Sequence, residues 1–120
     1  LYYILLMEMI EMSGWIGVDL DGTLAYYDGW KGIQHIGEPI PLMLSRVKTW
    51  LDIGKTVKIF TARVSAPEPE KTEVISSIHK WCKKHGLPEL EVTCCKDFGM
   101  ITLYDDRCVQ VRMNTGELVE

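Results

Sequence analysis

Three short apolar runs in this chain each lead into a polar side chain, and helical segments separate them. Trp15–Asp19 ends on Asp19, just before an Asp21-Gly22 turn. Thr56–Phe60 runs into Thr61, and Met100–Tyr104 into Asp105 and Asp106. Pro39 and Pro41 open the first intervening segment, where Met43, Leu44, Val47, Trp50 and Leu51 recur at helical spacing up to Gly54. The second, from about Glu70 to His85, carries Val74, Ile75, Ile78, Trp81 and Cys82 on one face and stops at Gly86 and Pro88. Strand, helix, strand, helix, strand predicts a mainly parallel sheet covered by helices, a Rossmann-like three-layer α/β/α fold. Ligands in such sheets gather at the carboxyl ends of the strands. Asp19, Thr61 and Asp105 are thus expected at one edge.

Other stretches are less regular. Residues 23–38 read as an irregular hairpin around Asp28-Gly29. Glu91–Cys95 reads as extended, and Val109–Met113 as a further strand closed by Asn114-Thr115-Gly116. Too few residues join the Glu91 stretch to Met100 for a parallel crossover, which needs a dozen or more. Either 91–95 is not a regular strand, or the chain crosses there as an extended passage.

A chain of 120 residues accommodates one compact domain. Hydrophobic residues at 47% and charged residues at 25% argue against disorder. A net charge of -4 gives no global attraction to nucleic acid or anionic lipid. Cys82, Cys94, Cys95 and Cys108 form neither a C-x-x-C pair nor a zinc spacing, so reduced, mostly buried thiols in a cytoplasmic protein are expected. Residues 1–11 are apolar but too short to span a bilayer, carry Glu8 and Glu11, and lack a basic leader. They are read as an N-terminal extension, the alternative being an anchoring or dimerising helix. Residues 12–120 are read as a single domain, with Met12 as a natural start.

The segment Val18-Asp19-Leu20-Asp21-Gly22-Thr23-Leu24 resembles the first motif of the haloacid dehalogenase superfamily. Thr61 in Phe60-Thr61-Ala62-Arg63 resembles the second, Lys96 in Cys95-Lys96-Asp97 the third, and Asp105-Asp106 the fourth. The physical chemistry agrees. Anionic attack on a phosphate needs its repulsion removed, and a hard divalent cation on carboxylate oxygens does this. Asp19, Asp105 and Asp106 supply such a set, and an all-oxygen cage suits Mg2+ better than zinc. Asp19 would attack phosphorus to form an aspartyl-phosphate. Asp21 would protonate the leaving oxygen and then activate water. Gly22 lets the backbone turn and bring N–H groups toward phosphate oxygens, while Thr61 and Lys96 would donate to the transferring group. The resemblance also implies substrate contacts at Leu20, Gly22, Ala62 and Lys96, and a metal contact through the Asp21 carbonyl. Arg63 and Arg107 follow these motifs and read equally well as surface ion-pair residues. His35, His79 and His85 show no partner pattern.

Neither gap between motifs has room for a cap domain, so the resemblance implies a capless phosphomonoester hydrolase. Open sites of that kind suit macromolecular substrates or close by homo-oligomerisation. Tyr26, Tyr27, Trp30 and Lys31 of 23–38 either stack on a base or pack the hairpin onto the body. Lys80, Lys83 and Lys84 give the second helix a basic side. With Tyr104-Asp105-Asp106-Arg107, the arrangement resembles the phosphatase half of polynucleotide kinase-phosphatases, implying a nucleotide or a nucleic-acid 3′-phosphate as substrate. A small sugar or metabolite phosphate is the alternative substrate, and no membrane partner is expected. A receiver domain is a rival, but its accepting aspartate would occupy the place that Thr61 holds. A catalytically silent binding module on the same fold is the other.

Overall fold

The structure is a computed structural model that describes residues 1–3 and 13–120. The reading of 1–11 as an extension therefore falls largely outside the described residues. The strands are β1 (Trp15–Asp19), β2 (Thr56–Phe60), β3 (Val92–Thr93) and β4 (Met100–Tyr104). Helix α1 is Pro41–Asp52 and helix α2 is Glu70–Lys84, with a short 3-10 turn at Ala62–Ser65. The sheet is parallel throughout, in the order β3-β2-β1-β4. This is the Rossmann-like α/β fold expected from the alternation of apolar periods, and no cap domain is inserted among the described residues.

Strand register sorts the side chains by face. Ile16 lies opposite Val57, and Val18 opposite Ile59, so these four project to one side. Met43 and Val47 of α1 and Val74, Ile78, Trp81 and Cys82 of α2 join them in one buried cluster. Val18, Val47, Ile59 and Ile78 are fully buried. Each such side chain contributes about 1.5–3 kcal/mol relative to exposure. Pro41 starts α1, where the missing N–H costs nothing. Glu70 and Glu73 in the first turn of α2, with Lys83 and Lys84 in the last, complement its dipole.

The 23–38 segment is docked by its backbone. Tyr26 N donates to Glu38 O at 2.8 Å, and Trp81 Nε1 to Gly37 O at 2.9 Å. At Gly37 the Tyr26 carbonyl occupies the space a Cβ would need, so only glycine lets the two legs close.

Val92–Thr93 pairs in parallel with β2, and the short link after it does not cross the site as an extended passage but bends at Cys94 and turns at 98–99. Strand β3 has only two residues, and six, 94–99, return the chain to the amino end of β4. The passage crosses the sheet face opposite α1 and α2. There Asp97 Oδ1 accepts hydrogen bonds from Trp15 Nε1 at 2.9 Å and Gly99 N at 2.8 Å. These bonds hold the Asp97 carboxyl below the usual carboxylate range, the Trp15 indole being the largest cause. Trp15 is buried on that face with Lys58 Nζ 4.7 Å from its ring centroid.

Two expectations are corrected. Val109–Met113 is not a strand of the sheet. It forms a single antiparallel bridge, Val111 to Leu118, and its alternating Val109, Val111 and Met113 stay exposed because no apolar surface of the described body lies against them. The cysteines are not mostly buried. All four are free, but only Cys82 is interior, its thiol pushed up to about 11 by burial, whereas Cys94, Cys95 and Cys108 are exposed. The exposure follows from the path: Cys94 and Cys95 lie on the 94–99 passage, and Cys108 follows the sheet edge.

Candidate active site

The parallel sheet delivers Asp19, Thr61 and Asp105 to one edge, where a cleft of about 660 Å³ opens. Asp19, Asp21, Thr61, Ala62, Arg63, Asp105, Asp106 and Arg107 line it, with Tyr27, Trp30 and Phe60 as its apolar wall. Carboxylate oxygens of Asp19, Asp105 and Asp106 all lie within 4.8 Å of one another. Three acids so close cannot all ionise cheaply. Burial, then the hydrogen bond to Asp106, then the charges of Asp105, Asp106 and Asp21 push the Asp19 carboxyl up to about 7. Burial also opposes ionisation of Asp106. Hydrogen bonds from Asp19, Thr23 and a backbone N–H, with the charge of Arg107, outweigh it and lower that carboxyl.

Such a cluster is chemically suited to a hard cation. Its donors are all carboxylate oxygens from adjacent strand ends, and a dication there would relieve the repulsion that raises Asp19. The residues present thus fit Mg2+.

Thr23 organises the cluster. Its hydroxyl lies 3.0 Å from Asp106 Oδ1 and 3.4 Å from Asp19 Oδ2, and it accepts the Asp106 N–H at 3.0 Å. Gly22 is required beside it. Its φ is +94°, and a Cβ would stand 2.7 Å from Asp106 Oδ2. Arg107 N donates to Asp105 Oδ1 at 2.8 Å, fixing the turn after β4.

Asp21 stands apart from the acidic cluster. Arg63 holds it in a bidentate pair, Nε to Oδ2 at 2.7 Å and Nη2 to Oδ1 at 2.8 Å. The same guanidinium donates to His35 O at 3.0 Å and Ile33 O at 3.4 Å, and lies 4.8 Å from the Trp30 ring centroid. Arg63 thus ties Asp21 to the 23–38 segment, and it is almost fully buried, with 6% of its side chain exposed. Of the two sequence readings of this residue, surface ion pair does not hold.

Thr61 is buried, and its Oγ1 accepts Arg63 N at 3.2 Å, leaving the hydroxyl proton free to donate. One expected contact is corrected: the Gly22 N–H does not face the cleft but donates to Ala25 O at 2.8 Å. The Leu20 side chain is fully buried, and its carbonyl accepts the N–H groups of Thr23, Leu24 and Ala25, which shapes the turn. Lys96 is likewise not brought to the site. It is exposed on the 94–99 passage and does not line the cleft. Its neighbour Asp97 is bonded to Trp15, the first residue of β1, about 13 Å along the strand from Asp19.

Sequence reasoning missed Thr23 as an organiser and Arg63 as the partner of Asp21. The first had a signal in its place within the D-x-D-G-T run. The second had none, because the pair spans 42 positions and depends on an irregular loop.

No protein family matches the chain in a family-level comparison, and no curated protein matches it. Among solved structures, it is similar to a conserved protein coded by a locus from Bacteroides thetaiotaomicron. The two share 19% identity over 90% of this chain and 83% of the other, with a TM-score of 0.57. That likeness supports the fold alone.

Proposed function

We propose that the protein is a Mg2+-dependent phosphomonoester hydrolase with Asp19 as nucleophile. The observation that carries this reading is the convergence of Asp19, Asp105 and Asp106 at the mouth of a cleft, within reach of one cation. Mg2+ bound there would screen the negative charge of nucleophile and phosphate. An Asp19 oxygen bonds to phosphorus as the ester P–O bond breaks, and water then cleaves the aspartyl-phosphate. Thr61 donates its hydroxyl to a phosphoryl oxygen. Asp21 lines the same cleft with its carboxylate held by Arg63, and in this reading it would serve the leaving oxygen and the attacking water.

The cleft wall supports a planar leaving group. Tyr27 is 48% and Trp30 57% exposed, although Arg63 lies over one face of the Trp30 ring. Both can stack on a base, which favours nucleotides or a nucleic-acid 3′-phosphate over sugar phosphates. Four free cysteines suit a reducing, cytoplasmic setting. The position of Lys96 outside the cleft favours a second reading, a metal-dependent binding module without turnover.

Mass spectrometry after brief exposure to phosphomonoester and Mg2+ separates the two. A phosphate adduct on the peptide containing Asp19 is expected for the hydrolase. Tight ligand binding with no adduct and no phosphate release would establish the binding module instead.

A further inference from the structure

A phosphate dianion entering this cleft meets a marked shortage of positive charge. Four carboxylates line the cleft: Asp19, Asp21, Asp105 and Asp106. Even a dication on the three clustered acids leaves that cluster negative. Arg63 makes up little of the difference: four of its five N–H groups are engaged by Asp21, Ile33 O and His35 O, its charge is paired with Asp21, and its side chain is buried. Lys96 is exposed on the 94–99 passage and does not line the cleft. One cation lining the cleft remains. Arg107 is exposed, follows the acidic pair directly, and its guanidinium makes no hydrogen bond or ion pair among the described residues.

We propose that Arg107, rather than Lys96, is the cation that binds the transferring phosphoryl group. The assignment rests on the phosphohydrolase reading above. The Asp105 carboxylate holds the Arg107 N–H at 2.8 Å, so the backbone from which the side chain springs is anchored while the guanidinium stays free. A guanidinium presents a planar fork that matches two phosphate oxygens, which an ammonium cannot do. Thr61 and Arg107 follow β2 and β4, the two strands that flank β1, and line the same cleft. Together they can grip the phosphate oxygens that face away from the metal cluster. The role that the sequence resemblance gives to Lys96 is thereby taken over by a residue of the turn that follows β4.

Arg107→Gln, Arg107→Lys and Lys96→Gln test the assignment in hydrolysis of an aryl phosphate with Mg2+, and in calorimetric binding of inorganic phosphate with Mg2+. Circular dichroism on each variant checks that it is folded. Arg107→Gln is expected to lower kcat/KM about 100-fold, the scale for losing a phosphoryl-stabilising donor. Inorganic phosphate binding should weaken in step, and Arg107→Lys should recover part of both. Lys96→Gln should stay within about threefold of the parent, as an exposed charge away from the cleft would. A large loss in Lys96→Gln with little in Arg107→Gln overturns the assignment, as does an unchanged Arg107→Gln. A parent that neither turns over nor binds phosphate refutes the phosphohydrolase reading itself.

Discussion

Replacing Asp19 by asparagine is expected to stabilise the metal-free protein at neutral pH while abolishing its response to Mg2+. Unfolded, the Asp19 carboxyl ionises near 3.8; folded without metal, burial and its acidic neighbours raise it to about 7. Between those values the native state binds more protons than the unfolded one, so stability falls as pH rises. The contribution of the protonated carboxyl is fully present below 3.8 and gone above about 7. The whole span corresponds to a ceiling of about 4 kcal/mol. Asp19 is only partly buried, and solvent screening reduces this to roughly 1–2 kcal/mol. Asparagine keeps an N–H for Asp106 and removes the charge. In urea denaturation with a chelator, the variant should gain roughly 1–2 kcal/mol over the parent at pH 8 and almost nothing at pH 4. In a chain of this size that is a rise of about 5 °C in Tm. Saturating Mg2+ should reverse the order, stabilising the parent by mass action and leaving the variant unmoved. A variant less stable than the parent at pH 8 with chelator, or a gain larger at pH 4, would refute the electrostatic account.

The structure makes further predictions. Arg63→Ala leaves the Asp21 carboxylate without its partner and cuts the tie to 23–38, so a loss of about 2–4 kcal/mol is expected in urea denaturation. Unchanged stability would mean that the pair does not hold the segment. Gly22→Ala places a Cβ against the Asp106 carboxylate in a left-handed backbone, so it should weaken Mg2+ affinity by calorimetry at least tenfold. Trp30→Ala should lower Tm by only about 2–4 °C, because the residue is 57% exposed and loses mainly its contact with the Arg63 guanidinium. It should raise KM about tenfold for nucleotide substrates and little for small sugar phosphates. Equal effects on both would remove the stacking role.

The sheet edge was legible because two independent periods agreed. Apolar runs of strand length alternated with helical spacing, and that alternation alone aligns strand ends. Asp19 met the others because it terminates such a run, and Thr61 and Asp105 because each follows one. The acidic cluster thus required no knowledge of loops. Lys96 failed for the opposite reason. Its location depends on a six-residue passage whose route is set by Asp97 and Gly99 meeting Trp15, a contact between sequence-distant residues with no local signature. The Arg63–Asp21 pair was hidden in the same way. The carbonyls of Ile33 and His35 that complete its shell belong to a segment with no period at all. Val109–Met113 looks like a strand in isolation, yet the described structure offers it no apolar surface to cover. Its single bridge to Leu118 leaves Val109, Val111 and Met113 exposed.

Phosphate release from an aryl phosphomonoester tests the central claim most directly, comparing the parent with Mg2+, the parent with chelator, and Asp19→Asn with Mg2+. Turnover that requires the metal and disappears in the variant is expected. Turnover that survives chelation, or that Asp19→Asn retains, would contradict the account of Asp19 as a metal-assisted nucleophile.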